Sequence, residues 1–166
     1  MIIRRLTPAD WEAYRTLRLE ALHLEPTAFG SDPSDQVNQP QAYWTSRLEG
    51  GPDSFVLGAF LHDHLVGMAG LRREQGAKTR HKAMVWGMYV SPGARGRGMG
   101  RRLLEQLIAE ARELDGLRQL FLAVTSTNEP ARSLYLDLGF RVYGTEPRAL
   151  RVGERFVDED LMYLAL

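Results

Sequence analysis

Four arginines and four glycines crowd into the ten residues 93–102, and these residue types suit the binding of a phosphate group. No acidic residue occurs between positions 91 and 104. Glycine lets the backbone approach a ligand closely, and a helix N-terminus adds positive potential. Arginine at a helix start opposes the helix dipole, at a cost of roughly 0.3–1 kcal/mol per charge. The segment therefore predicts a phosphate or pyrophosphate site, and the alternative is an ordinary glycine turn with solvated arginines.

Two common phosphate motifs do not match this segment. A nucleotide P-loop requires Gly-Lys-Ser/Thr, whereas Gly100 is followed by Arg101 and Arg102. The dinucleotide fingerprint requires a glycine three residues after Gly98, where this chain has Arg101. It also requires an acid about 20 residues further on, and residues 117–121 contain none. The ligand is therefore expected to belong to another class of phosphate compound.

A second group of polar residues accompanies a helix predicted over 129–138. Asn128 is a suitable N-cap for that helix. Asn128, Arg132 and Tyr135 are spaced i, i+4 and i+7, so we expect one helix face to carry all three. The packing side is marked by Ala131, Leu134 and Leu138. Taken alone, this pattern favours the alternative that Asn128 only caps the helix and Tyr135 is an ordinary half-buried aromatic without a binding role.

The apolar periodicity predicts the order β-α-α-β-β-β-α-β-α-β-β. Strands are predicted over 2–6, 54–61, 65–71, 83–90, 117–124, 140–143 and 156–164. Helices are predicted from Thr7 to before Pro26, over 41–48, over 100–111 and over 129–138, with a polar loop over 30–41. The strand-helix-strand unit over 83–124 implies a parallel pair with a right-handed crossover. We predict one mixed α/β domain over 1–166, with a mostly antiparallel sheet and about four flanking helices.

The composition excludes several classes of protein. Apolar residues make up 44% of the 166 residues, as in a globular domain. The absence of cysteine excludes disulfides, thiolate metal sites and a covalent acyl-cysteine. The 21 basic and 21 acidic residues give zero net charge, which disfavours nucleic acid as a partner.

The distribution of apolar residues predicts no membrane segment and no signal peptide. The longest apolar stretch, 55–61, is far shorter than the roughly 20 residues of a membrane helix. The first six residues become charged too early for a signal peptide. His62 and His64 lack further ligands for a metal. We therefore expect a cytoplasmic protein with no membrane partner and no metal.

The segment Arg95-Gly96-Arg97-Gly98-Met99-Gly100 resembles the acetyl-CoA pyrophosphate loop, Gln/Arg-x-x-Gly-x-Gly/Ala, of the GNAT family of N-acetyltransferases. The strand end Val90-Ser91-Pro92 and the segment 128–135, followed by Leu138-Gly139-Phe140, are also similar to that family. The resemblance covers essentially the whole chain. It implies an acetyl-CoA-dependent enzyme that transfers the acetyl group directly to a primary amine. It also implies a parallel strand pair that splays around the acyl-CoA.

The resemblance implies roles for particular residues. Tyr135 would be the catalytic acid that protonates the departing thiolate, and Asn128 would hydrogen-bond the pantetheine arm. Backbone groups over 88–90 would pair with pantetheine and polarise the thioester carbonyl. The donor-binding residues implied are Met88, Tyr89, Val90, Arg95, Gly96, Arg97, Gly98, Met99, Gly100, Arg101, Asn128 and Ser133.

A general base is not evident in the sequence. Relatives often carry a glutamate on the strand that here spans 82–89, where this chain has no carboxylate. Three options stay open: a water relay, no dedicated base, or another acid, namely Asp32, Glu146, Asp158 or Glu159. The missing carboxylate also leaves open a second function, a CoA-binding sensor or interaction module without catalysis. The acceptor amine is not identified by the sequence, and the resemblance is compatible with a homodimer.

Residues of the strand over 83–90 and of the polar loop over 30–41, with Phe29 just before it, are the further candidates for the walls of the site. Gly87 inside a strand predicts a β-bulge that aims nearby N–H groups at the donor, or else only makes room for a neighbour. Trp86 and Tyr89 are predicted on opposite faces of that strand, with one in the core and the other lining the acceptor pocket. Phe29 and Asp32 lie in the polar stretch where the family places its acceptor loop, so we expect them to contact the acceptor.

Overall fold

A single seven-stranded sheet runs through the computed structural model, which describes residues 1–166. Its strands are β1 (Ile2–Arg5), β2 (Ser54–Leu61), β3 (His64–Arg73), β4 (Lys82–Val90), β5 (Gln119–Thr125), β6 (Arg141–Val152) and β7 (Arg155–Ala165). The spatial order is β1-β2-β3-β4-β5-β7-β6, and only the pair β4–β5 is parallel. The predicted mixed sheet with one parallel pair is confirmed.

Five α-helices flank the sheet, one more than predicted. They are α1 (Trp11–Leu24), α2 (Pro33–Gln36), α3 (Gln41–Glu49), α4 (Met99–Arg112) and α5 (Glu129–Asp137). The prediction of a loop over 30–41 was wrong at α2, a single turn that Asp32 caps by accepting a hydrogen bond from the Ser34 N–H (2.9 Å). A 3₁₀ turn, Pro8–Asp10, occupies the predicted start of the first helix, so α1 begins at Trp11. None of these helices is long and apolar enough to span a membrane.

Strand β6 extends well beyond its predicted bounds, whereas β7 exceeds its prediction by only one residue at each end. The sequence predicts strands over 140–143 and 156–164, whereas β6 and β7 form a long antiparallel hairpin. Most of β6 is exposed, and its polar residues show no alternation that would distinguish them from a loop. Its pairing with β7 also shifts register between Glu146 and Leu150. Backbone pairing, which the side-chain pattern does not report, holds this hairpin together.

Apolar side chains pack against both faces of the sheet in two separate clusters. On one face, α4 contributes an apolar stripe of Leu103, Leu104, Leu107, Ile108 and Ala111. On the other face, α1 and α3 contribute Tyr14, Leu17, Ala21, Trp44 and Leu48. Burial of each large apolar side chain stabilises the fold by roughly 1.5–3 kcal/mol. The sheet is therefore held from both sides, and its parallel pair lies near the centre of the molecule.

The parallel strands β4 and β5 pair only at their beginnings. Their register comprises Lys82–Gln119, Ala83–Leu120 and Met84–Phe121, and the ladder stops there. Both strands continue further, β4 to Val90 and β5 to Thr125. The predicted splaying of the parallel pair is therefore confirmed, and it opens a cleft between the C-terminal halves of the two strands.

Gly87 forms the bulge that the sequence predicts. Its φ of 64° lies in the left-handed region, which a residue with a Cβ adopts only at a cost. On the neighbouring strand, Gly70 pairs with Trp86 and Met68 with Tyr89, so β4 carries one extra residue there. The bulge bends β4 at the point where it leaves β5.

The same bulge overturns the prediction that Trp86 and Tyr89 face opposite sides of β4. Both pack on the cluster that contains Tyr14 and Trp44. Side chains three residues apart alternate faces in a regular strand, but the extra residue at Gly87 returns Tyr89 to the face of Trp86.

Candidate active site

A cavity of about 630 Å³ lies at the cleft between the splayed strands, and we call it the first cavity. The end of β4 forms one wall, the loop before α4 another, and α5 the third. The close packing of these elements depends on Gly100, where an added Cβ would lie 3.2 Å from Met88 Cε. Two stretches that are separate in sequence, β4 with the loop that follows it and α5, therefore converge on one cleft.

The loop over 95–98 exposes backbone donors to this cavity. Gly96 and Gly98 have φ values of 75° and 69°, and nothing lies within 4 Å of a Cβ added at either position. The N–H groups of Gly96, Arg97 and Gly98 have no acceptor within the protein. Helix α4 begins at Met99 without a side-chain cap, so its first N–H groups add positive potential. This arrangement is suited to an anion.

The arginine cluster is partly neutralised. Arg95 pairs with Glu25 (2.8 Å) and also donates to the Val90 carbonyl (2.9 Å). Arg101 pairs with Asp137 (3.0 Å). The other two arginines, Arg97 and Arg102, are exposed and form no ion pair. Two of the four guanidinium groups therefore stay available to a phosphate.

Two tyrosines line the first cavity, and they differ in the freedom of their hydroxyl groups. Tyr89 donates its hydroxyl to Glu20 Oε1 (3.0 Å), and burial with that contact raises its pKa to about 12. Tyr135 is only 6% exposed, and its hydroxyl has no hydrogen-bond partner in the protein. Burial raises the pKa of Tyr135 above its ordinary value of 10.0, so the hydroxyl keeps its proton at neutral pH. Of the two tyrosines, only Tyr135 has a hydroxyl proton that is free to bond to a ligand.

Asn128 lies at the start of α5 on the same cavity. Its Oδ1 accepts a hydrogen bond from the Ala131 N–H (3.3 Å), as predicted for an N-cap. Its side-chain nitrogen has no partner within the protein and is free to donate. Asn128 thus caps the helix with one atom and offers the other to a ligand.

Arg132 does not share the cavity face with Asn128 and Tyr135, so this part of the prediction was wrong. Its Nε donates to Asp160 Oδ2 (2.6 Å) on β7. Asp160 also accepts from Ser126 Oγ (3.0 Å) and Thr145 Oγ1 (2.8 Å). Burial alone would raise the pKa of Asp160, but these hydrogen bonds outweigh it and hold the pKa below its ordinary 3.8. Asp160 therefore fixes α5 against the sheet.

The structure brings together most of the predicted donor-binding residues. All of them line the first cavity except Arg97, which is exposed on the loop, and Ser133, which is exposed on α5. Lining residues that the sequence analysis did not assign to the donor site are Glu25, Ala28, Phe29, Pro130, Ala131 and Leu134. The last three belong to the α5 segment already singled out, whereas Glu25 to Phe29 arrive from a distant part of the chain without any local signal.

A second cavity, of about 650 Å³, adjoins the first and shares Ala28 and Phe29 with it. Its lining includes Arg18, Arg47, Trp86, Gly87 and Glu159. Phe29 therefore lies at the junction of the two cavities, and its contact with an acceptor stays a prediction. Asp32 lines neither cavity.

Only one of the four candidate acids lines the second cavity. That residue is Glu159, half-buried on β7. Burial, and then the charge of Glu146, raises the pKa of Glu159 above its ordinary 4.5. Glu146 and Asp158 are exposed, and the Asp158 carboxylate accepts the Arg148 N–H (2.7 Å). Of the four candidate acids, Glu159 is thus the one best placed to take a proton.

Comparison with known proteins identifies the family. The acetyltransferase (GNAT) family model matches residues 11–140, and the chain belongs to this family. A solved structure, yncA from Salmonella typhimurium, a putative acetyltransferase with its cofactor acetyl-CoA, is 26% identical with a TM-score of 0.82. The superposition covers 100% of this chain and 94% of that one.

Three sequence relatives extend the comparison. The N-alpha-acetyltransferase RimI of Mycobacterium tuberculosis is 35% identical over 90% of this chain and 84% of its own. The L-amino acid N-acetyltransferase AaaT of Escherichia coli is 28% identical over 95% of this chain and 93% of its own. An uncharacterized protein of Mycobacterium leprae is 34% identical over 89% of this chain, which spans only 36% of that relative.

The Asp160 network yields a stability prediction. Asp160→Asn should lower the free energy of unfolding by about 3 kcal/mol at pH 7, because it breaks a buried ion pair from one side. A carboxylate with a depressed pKa stabilises the fold above its unfolded pKa, so the difference from the wild type should persist down to about pH 4 and shrink as the pH falls further, through the folded pKa of Asp160. Urea unfolding at pH 7 and at a series of pH values below 4 measures this. The control Asp137→Asn breaks only the exposed pair with Arg101 and should cost under about 1 kcal/mol; equal losses would contradict the prediction.

Proposed function

We propose that this protein is an acetyl-CoA-dependent N-acetyltransferase that transfers the acetyl group directly to a primary amine. The proposal rests on one observation: the unpaired N–H groups at the start of α4 and the free hydroxyl of Tyr135 lie in the same cleft. Membership of the acetyltransferase (GNAT) family supports the reaction class. The chain has no cysteine, which agrees with direct transfer without an acyl-cysteine.

The donor is bound mainly by backbone groups. The N–H groups of Gly96 and Gly98 and the start of α4 hold the pyrophosphate, with Arg97 and Arg102 adding charge from the rim. Residues 88–90 of β4 have no strand partner on the β5 side, so their backbone is free to pair with the pantetheine arm. The free amide nitrogen of Asn128 donates to the same arm. One of the β4 N–H groups polarises the thioester carbonyl, which stabilises the negative charge that develops on its oxygen.

Tyr135 acts as the general acid. Its hydroxyl carries a proton at neutral pH and has no competing acceptor in the protein. A thiolate leaving group has a solution pKa of about 8.5, so a phenol in a water-poor cleft is a suitable proton donor.

Glu159 acts as the general base, directly or through one water. It lines the second cavity, which joins the first at Phe29. Its raised pKa favours acceptance of a proton from an incoming ammonium group. The carboxylate that the resembling family carries on β4 is thus replaced here from β7.

The acceptor is an α-amine. Two relatives support this choice by their names, one an N-alpha-acetyltransferase and the other an L-amino acid N-acetyltransferase. The second cavity holds the group that carries this amine, while the amine itself reaches the thioester past Phe29.

Calorimetry tests the donor site. Acetyl-CoA should bind the wild type at micromolar concentration. Gly98→Ala should bind about tenfold more weakly, because a Cβ at positive φ costs about 1–2 kcal/mol, so the free loop relaxes to another conformation and must return to this one on binding. Gly93→Ala is the matched control, since Gly93 lacks a positive φ and has open space around it. Absence of acetyl-CoA binding to the wild type would overturn the proposal, whereas binding without thiol release from any amine would identify a non-catalytic CoA module.

Tyr135→Phe should lower kcat about 100-fold while leaving the acetyl-CoA dissociation constant unchanged, because only the transferable proton is lost. Thiol release from acetyl-CoA, followed with a chromogenic disulfide, measures the rate. Tyr143→Phe removes an exposed hydroxyl outside both cavities and should have no effect. Unchanged turnover in Tyr135→Phe would remove Tyr135 from the acid role.

Glu159→Gln should lower kcat about 100-fold at pH 7, and the defect should diminish as the pH rises, because an amine that is already neutral needs no base. A pH–rate profile from pH 6 to 10 measures this. Glu146→Gln, which alters the neighbouring charge outside the cavities, should retain most of the activity. A defect that is constant across this pH range would assign Glu159 a structural role.

A further inference from the structure

Arg18 is a buried cation without a carboxylate partner. Its side chain extends from α1 to the wall of the second cavity, and the residue is 4% exposed. Its Nε donates to Gln36 Oε1 at 3.4 Å and its Nη2 to Ser31 Oγ at 3.5 Å, both long and both to neutral groups. Its Nη1 has no partner at all. Burial and the nearby Arg47 lower the pKa of Arg18 from its ordinary 12.5.

A second buried arginine of the same chain shows what a satisfied guanidinium looks like. Arg73, 8% exposed, donates to the Asp53 carboxylate (2.9 Å) and to the carbonyls of Arg80 (2.6 Å) and Asp115 (2.8 Å). Buried charges in folded proteins are normally paired in this way, because an unpaired one costs several kcal/mol. Arg18 departs from that rule, and it does so on a cavity wall.

Two further donors on the same wall also lack acceptors. Arg47 donates to the Tyr43 hydroxyl (2.7 Å), but its Nε is buried without a partner. Its guanidinium lies over the Trp86 ring at 5.3 Å, and the indole N–H of Trp86 is likewise unpartnered. Neither arginine forms an ion pair with any acid of the chain. Three residues on the wall of the second cavity, which Glu49 and Glu159 also line, therefore carry buried donors without acceptors, a feature expected of a site for an anion.

The position of Arg18 relates this anion to the acceptor amine. Its guanidinium lies 4.9 Å from the centre of the Phe29 ring, and Phe29 borders both cavities. Its Nη1 also lies 3.9 Å from where a Cβ of Gly87 would stand, at the bulge beside the cleft. An anion on Arg18 is thus held close to the junction through which the amine must reach the donor. An acceptor that carries a carboxylate close to its amine would therefore place the carboxylate at Arg18 and the amine at the junction.

We propose that the second cavity binds an amine acceptor that also carries a carboxylate next to the amine, and that Arg18 receives this carboxylate with help from Arg47. The proposal rests on the proposed acetyl transfer. A free α-amino acid supplies both groups on one carbon. A peptide supplies its carboxylate instead from the side chain of an acidic first residue, so both sources are included in the test.

The test compares matched acceptors in the thiol-release assay. The panel contains the L-amino acids, their C-terminal amides, and tetrapeptide amides that begin with Asp or with Asn. We expect kcat/KM for the best amino acid to exceed that for its amide at least tenfold, since a hydrogen bond to a charged group contributes about 1.5–3 kcal/mol. Preference for Asp over Asn among the peptides, with free amino acids inactive, would place the carboxylate on a peptide side chain and equally support the anion site.

Three variants connect the preference to Arg18. Arg18→Gln should lose at least tenfold in kcat/KM for the acid and little for the amide, and Arg18→Lys should fall between. The control Arg15→Gln, one turn earlier on α1, removes an arginine that bonds to the Val37 carbonyl (3.0 Å) and lines neither cavity. Thermal unfolding adds a second readout: Arg18→Gln should unfold no earlier than the wild type, because no ion pair is broken.

Several outcomes would overturn the proposal. They are equal use of acids and amides, an Arg18→Gln defect that is equal for both, or a lowered melting temperature with an unchanged acceptor preference. Failure of the proposed acetyl transfer is recognised separately, by the absence of acetyl-CoA binding in calorimetry or of thiol release with every acceptor. In that case the same amino acids are titrated into the wild type and Arg18→Gln, and absence of Arg18-dependent binding overturns the anion site as well.

Discussion

The early end of the β4–β5 ladder is the constraint on which the rest of the structure depends. After Met84 the two parallel strands no longer form hydrogen bonds with each other, although backbone N–H and C=O groups in a protein interior require hydrogen bonds. The bulge at Gly87 turns β4 away from β5. At the end of β5, the Thr125 hydroxyl donates a hydrogen bond to the Thr27 carbonyl. The strand edges facing the cleft are left to solvent or to a ligand that can itself pair with backbone. Such edges make the cleft suitable for a ligand that forms hydrogen bonds with backbone groups.

Holding the cleft open requires that α5 be anchored independently of β4. The Asp160 network provides that anchor, since a single carboxylate on β7 collects Arg132 from α5, Ser126 from the turn before it and Thr145 from β6. Tyr135 and Asn128 face the cleft because the opposite side of their helix is fixed in this way. The i, i+4 spacing predicted that Arg132 shares the cavity face, but Arg132 pairs with Asp160 and holds α5 in place. Arg132 is therefore absent from the lining of the first cavity, to which Asn128 and Tyr135 belong.

Features set by the local sequence could be predicted, whereas features that depend on contacts between distant segments could not. The turn at Gly96 and Gly98, the cap at Asn128 and the bulge at Gly87 each follow from the conformational needs of one residue. The face of Tyr89 could not be predicted even with Gly87 in view, because one inserted residue reverses the alternation only if the bulge is real. Glu159 and Arg18 carry no local signal at all. They reach the second cavity only because the fold brings β7 and α1 to its walls.

The two cavities are therefore built by different means. The first presents backbone N–H groups on glycine conformations, which only a substitution of the glycines themselves would alter. The second is built from side chains of separate elements, Arg18 on α1, Arg47 on α3, Trp86 on β4 and Glu159 on β7. Any of these can change without disturbing the loop before α4. The zero net charge of the whole chain conceals this concentration of unpaired cations, which lie with Glu159 around one cavity although they come from different elements.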